Sequence, residues 1–175
     1  MRKALWLMLA ACGLAMGCSR LPIPTEQITF YRSDALNEGR PCAVDVVYPK
    51  DEDQLYQITR EIGPAGWFRS DLYRTAYKDK EWLDEKSTTL MLSNKDEQDR
   101  FMVIIAEFTN PDPNPPRGQE PILVFREDMK PRPRKHEYIW VHDGSLQRLD
   151  GRPKDLRGRE DHEDDRRARD RDRRD

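Results

Sequence analysis

Phe101-Met102-Val103-Ile104-Ile105-Ala106-Glu107-Phe108 is the stretch on which the fold turns. It is apolar on both faces until Glu107, which marks a strand buried on both sides, the central strand of a sheet. Runs on either side carry weaker strand patterns. Ile28-Thr29-Phe30-Tyr31 alternates, and residues 43–48 are β-branched between Pro41 and Pro49. Residues 88–92, 121–125 and 137–141 complete the set, with turn residues between nearly all of them. One helix is signalled. Asp51 can cap it with Gln54 as capping-box partner, Leu55, Ile58 and Ile62 then share a face, and Gly63-Pro64 stops it. Residues 67–77 fit either a strand or a short second helix. Short strands with one helical excursion predict an all-β protein, an antiparallel β-sandwich with one inserted helix.

The N-terminus has a different character. Arg2 and Lys3 precede an uncharged stretch, residues 4–17, that contains Leu5, Trp6, Leu7, Leu9 and Leu14. This is the design of a secretory signal and is too short to span a membrane as a helix. It ends Leu14-Ala15-Met16-Gly17-Cys18-Ser19. A small residue directly before a cysteine resembles the lipobox of bacterial lipoproteins, whose cysteine is lipidated and becomes the mature N-terminus. Leu9-Ala10-Ala11-Cys12 is a competing site, but cleavage there leaves only residues 4–11 as apolar core, near the lower limit. Cys18 is therefore the preferred lipidated residue. The resemblance also implies the outer membrane, because Ser19 stands where an aspartate favours inner-membrane retention.

The chain thus divides into a signal peptide (1–17), a lipidated tether with Pro22 and Pro24 (18–27), a sandwich domain (28–150) and a tail (151–175). The tail holds ten Lys or Arg and nine Asp or Glu, with only Leu156 and Ala168 apolar. It cannot bury enough surface to offset its ordering entropy and is expected to be disordered. Residues 110–121, with five prolines, read as a stiff exposed loop.

The charge balance excludes one class of partner. The formal net charge is −2, and cleavage removes Arg2 and Lys3, so there is no basic footprint for nucleic acid. With Cys18 acylated, no disulfide framework remains, and Cys42 at the start of a strand reads as a buried, inert thiol. No phosphate-binding glycine loop and no nucleophile elbow is present. His136 and His142 share a strand face roughly 20 Å apart, too far to ligate one zinc; His162 is in the tail. Asp51-Glu52-Asp53 and Asp84-Glu85 read as a helix start and solvated faces. No cofactor or metal is expected, and the chain reads as a structural or binding protein rather than an enzyme. Trp67-Phe68, Tyr73, Tyr77 and Trp82 suit core packing first, a partner surface or carbohydrate platform second.

Three pieces carry a resemblance to a family. A short strand leads into Asp34-Ala35-Leu36-Asn37-Glu38-Gly39-Arg40-Pro41 and then the valine-rich run 44–48; residues 53–72 form a helical insertion with aromatic and acidic residues; residues 100–108 carry a V-x-A-x-[FY]-like strand. This resembles the outer-membrane lipoprotein of the type VI secretion membrane complex, although the family often has an arginine where this chain has Asp45. The resemblance implies a transthyretin-like sandwich, held at the outer membrane by its lipid and facing the periplasm. It also implies that the loop between the first two strands binds the periplasmic part of an inner-membrane secretion subunit. Here that loop is Ser33, Asp34, Ala35, Leu36, Asn37, Glu38, Gly39 and Arg40. The alternative is a lipoprotein sandwich module that binds cell-wall glycan or a small ligand.

Overall fold

A computed structural model of the protein describes residues 22–153. The expected signal peptide, Cys12, the expected lipidation site Cys18 and the tail from residue 154 onward lie outside the described residues. Within them the strands are Gln27–Arg32 (β1), Cys42–Val47 (β2), Lys78–Leu83 (β3), Ser87–Met91 (β4), Phe101–Ala106 (β5), Ile122–Arg126 (β6), His136–Val141 (β7) and Leu146–Arg148 (β8). They form two four-stranded sheets, ordered β4-β1-β7-β8 and β3-β2-β5-β6.

The run quoted first is β5, and the structure explains why it is apolar on both faces. Met102, Ile104 and Ala106 pack between the sheets with Phe30, Val44, Val46, Leu123 and Ile139. Phe101, Val103 and Ile105 point the other way and are covered by Leu55, Ile58 and Trp67 of the helical excursion. One strand thus serves two cores. Burying a large apolar side chain contributes about 1.5–3 kcal/mol, so these six positions hold both layers onto one sheet.

The helical excursion starts as expected. Asp51 accepts from the Gln54 backbone N–H at 2.8 Å and caps Glu52–Tyr56 (α1). The Gln54 side chain reaches back to the Lys50 N–H at 2.8 Å, one residue earlier than a standard capping box. A π-helical stretch, Gln57–Ile62, follows. Gly63-Pro64 then kinks the chain instead of ending it: Gly63 takes φ +64°, and Pro64 sits in the first turn of Gly63–Trp67 (α2). Proline costs nothing there, because that N–H has no helical partner. Continuing the excursion buries Trp67 completely. A further short helix, Asp71–Thr75 (α3), is capped by Ser70.

Two strands lack an apolar signal. β3 is Lys78-Asp79-Lys80-Glu81-Trp82-Leu83, an edge strand in which only Asp79 and Leu83 are buried. Charge on an exposed edge discourages pairing with other chains. Asp79 is tolerated inside because its carboxylate accepts from the Tyr48 hydroxyl at 2.6 Å and from the Ser93 hydroxyl at 2.9 Å. β8 is three residues long and carries little pattern.

One pairing departs from the antiparallel expectation: β1 and β7 run parallel, Gln27 opposite His136 and Arg32 opposite Val141. They are far apart in sequence, so no hairpin dictates their direction. The expected start of the domain also moves. Ile23 is fully buried, and its N–H donates to the Asp99 carbonyl at 2.9 Å. Glu26 and Gln27 donate to the Lys135 carbonyl at 2.8 and 3.2 Å. Residues 23–27 therefore belong to the folded body rather than to a free tether, because an isoleucine gains more from burial than from water.

Candidate functional site

β1 begins where the chain leads in from its N-terminal segment and ends at the opposite pole of the sandwich. Six residues of strand place these poles about 20 Å apart. The loop 33–40 forms at the far pole, where β1 leaves the first sheet and β2 enters the second. Its eight residues divide into anchors and a tip. Leu36 is fully buried in the core and Asn37 is 6% exposed. Asp34, Ala35, Glu38, Gly39 and Arg40 are exposed, and Ser33 is half-buried.

The backbone of this tip is unusual. Asn37, Glu38 and Gly39 take φ of +48°, +58° and +82° in succession. Glycine adopts this region freely, asparagine tolerates it, and glutamate rarely does. Three such residues in a row hold only where the surroundings fix them, and the anchor is Asn37. Its side-chain amide donates to the Glu107 carbonyl at 2.9 Å, and its side-chain oxygen accepts from the Thr109 N–H at 2.9 Å. Its own N–H donates to the Asp143 carboxylate at 3.4 Å. One asparagine thus ties the 33–40 loop to the start of the proline-rich segment and to the β7–β8 turn.

Further contacts complete this pole. Gly144, at φ +96°, lies so close to the proline-rich segment that a Cβ would stand 2.7 Å from the Asn110 carbonyl oxygen. The Asp112 N–H donates to the Gly144 carbonyl at 3.0 Å. Arg32 donates to the Leu83 and Arg40 carbonyls at 2.9 and 3.2 Å, pinning the base of the loop to β3. Sequence reading singled out residues 33–40 but not Glu107, Thr109 or Asp143. Asp143-Gly144 is a turn signal, but its tie to Asn37 spans more than a hundred positions. Salt bridges here, Arg40–Glu38 and Lys86–Asp34, are exposed and add little to stability.

Asn37→Ala is expected to cost about 1–3 kcal/mol by removing both side-chain hydrogen bonds. Asn37→Gly should lose the same bonds while keeping the backbone angle. Faster amide exchange at residues 36–40 and 109 in both variants, with the rest of the sandwich protected, checks this role.

The remaining candidates lie elsewhere. Cys42 is fully buried, and burial pushes its thiol up to about 12, so it is protonated at neutral pH. Trp67 is a core residue whose indole N–H donates to the buried Asp45 carboxylate at 2.9 Å. It is not part of a carbohydrate platform. Burial raises the Asp45 carboxyl above its ordinary range, against the Trp67 hydrogen bond and the charges of Lys78 and Lys80. Trp82 is 61% exposed on β3. His136 opens β7 and His142 follows its last residue, and among the described residues no His, Cys, Asp or Glu cluster could hold a metal. On the outer face of the first sheet Tyr31 stacks with Tyr138 and Trp140, at 6.4 and 6.2 Å between ring centres, and His136 stacks with Tyr138 at 4.2 Å.

No protein-family model matches the sequence, and no curated protein matches it. Solved structures do. A chain from a structure described as the type VI membrane complex superposes with a TM-score of 0.52 at 17% identity, covering 71% of this chain and 98% of its own length. A chain from a structure of the T6SS protein TssM C-terminal domain from EAEC gives 0.50 at 17% identity, covering 72% and 98%. Serratia marcescens Lip, a membrane-bound component of the type VI secretion system, gives 0.48 at 12% identity, covering 73% and 97%. The fold of this chain, over about seven-tenths of its length, is that of chains in these type VI secretion structures.

Proposed function

We propose that this chain is an outer-membrane lipoprotein of a type VI secretion system that binds the periplasmic part of an inner-membrane secretion subunit through residues 33–40. The acylated Cys18 supplies the membrane attachment and the loop supplies the specificity. The observation that carries the reading is the placement of the loop. It is held rigid by Asn37 at the pole opposite the one where the chain leads in from Cys18, so an anchored domain presents it away from the membrane. A preset loop binds without a large ordering cost. The likeness of fold to chains from type VI secretion structures supports the same reading, and no enzymatic step is needed for it.

A two-part experiment tests it. Mass spectrometry of the mature protein from membranes should find the acyl group on Cys18, with Cys18→Ser left unprocessed and unlipidated. Acylation at Cys12 would move the anchor. Pull-down with residues 19–150 as bait should then capture the secretion subunit from a detergent extract, and a folded bait that captures nothing would remove the tethering role.

A further inference from the structure

The pole opposite the 33–40 loop carries a basic segment. Between β6 and β7 the chain reads Lys130-Pro131-Arg132-Pro133-Arg134-Lys135. Lys130, Arg132 and Lys135 are exposed, while Pro133 is buried and fixes the segment to the body. The backbone is held from inside. Arg148, itself clamped by the buried Glu137 carboxylate at 2.7 and 2.9 Å, donates to the Pro131 and Arg132 carbonyls at 2.8 and 3.0 Å. Carbonyls are thus drawn inward and the Lys130 and Arg132 side chains left outward. Of the other cations, Arg134 pairs with Asp150 at 3.6 Å and Lys135 with Glu26 at 3.1 Å.

The position of this basic loop decides what it faces. Lys135 accepts the N–H groups of Glu26 and Gln27, so the loop lies directly beside the incoming chain. Ile23 is fixed to Asp99. Even fully extended, the stretch from Cys18 to Ile23 spans no more than about 18 Å. A lipid on Cys18 would hold this pole, and not the 33–40 pole, within that distance of a bilayer surface. Resting on the lipid-anchor reading for its location, we infer that residues 130–135 form a docking surface for anionic phospholipid headgroups. The surface orients the domain end-on to the membrane and keeps the 33–40 loop pointing outward. Basic residues close to an anionic surface each raise membrane partition by about fivefold, an effect that fades within a Debye length.

The test uses the mature chain with Cys18→Ser, so that no acyl group contributes, in flotation with phosphatidylglycerol-containing vesicles and with phosphatidylcholine vesicles. The expected result is binding to the anionic vesicles at least about tenfold above that to the neutral ones at low salt, lost at high salt. Lys130→Glu with Arg132→Glu should abolish it, whereas Arg40→Glu with Lys86→Glu, at the other pole, should leave it unchanged. If the reversal disturbs folding, Lys130→Gln with Arg132→Gln should still lower binding several-fold. Equal flotation with both vesicle types, or equal loss from changes at either pole, overturns the inference. Because the chain in this test bears no lipid, its outcome is separate from whether Cys18 is acylated in the cell.

Discussion

Arg148→Ala is expected to lower the stability of the domain by about 3–5 kcal/mol, a large part of the 5–15 kcal/mol typical of a small protein. Glu137 is fully buried and Arg148 is 12% exposed, and their side chains meet in a two-pronged pair. The guanidinium also lies over the Phe125 ring, 5.1 Å from its centre. Truncating it strands a carboxylate in the interior that still accepts from the Arg134 N–H at 2.6 Å. The loss comes from that uncompensated charge, not from the net value of the pair, since buried pairs often do no better than apolar replacements. Glu137→Leu with Arg148→Met should therefore recover most of the loss. Chemical denaturation of the two single variants and the double variant checks this. Additive losses would show that the two residues act independently.

Trp67→Ala is expected to cost about 3–5 kcal/mol, because the indole fills the layer between the helical excursion and β5. Phe101, Val103 and Ile105 would lose their cover. Trp67→Phe separates packing from hydrogen bonding. It keeps most of the volume but leaves buried Asp45 without its indole donor, a loss of about 1–3 kcal/mol. The pH dependence carries a sign. The folded carboxyl of Asp45 lies above its ordinary value of 3.8, so the folded state holds the proton more tightly than the unfolded state. Its contribution to stability is largest below 3.8 and is lost as pH rises through the elevated folded value. Trp67→Phe should deepen that loss at neutral pH and leave stability nearer to wild type in acid. Denaturation midpoints across pH read this directly.

The fold was legible where burial imposes a period. β5, β2 and β7 show in the sequence because their residues pack against neighbours on one or both faces. β3 does not, because a charged edge strand faces water along one side and satisfies its buried Asp79 with polar partners from residues 48 and 93. The Gly63-Pro64 pair signals a break, and a break occurs, but only tertiary burial of Trp67 makes the helical path continue beyond it. The parallel β1–β7 pairing has no local signature at all. At the site, Leu36-Asn37 and Gly39-Arg40 pointed to the loop. Its division into buried anchors and exposed tip came from contacts with Glu107, Thr109 and Asp143, which no spacing rule could supply.

That division sharpens how the proposed interface should be probed. Leu36 and Asn37 support the fold, so changing them confuses unfolding with loss of binding. Asp34 and Arg40 are exposed and carry charge at the tip. The most direct measurement is the affinity of the purified mature chain for the periplasmic domain of the secretion subunit, by calorimetry, with wild type and with Asp34→Lys combined with Arg40→Glu. The expected result is a specific complex for wild type and a loss of at least about 2 kcal/mol, roughly thirtyfold, for the variant with its thermal unfolding unchanged. Equal affinity for both chains, or no complex with a folded wild-type chain, would contradict it.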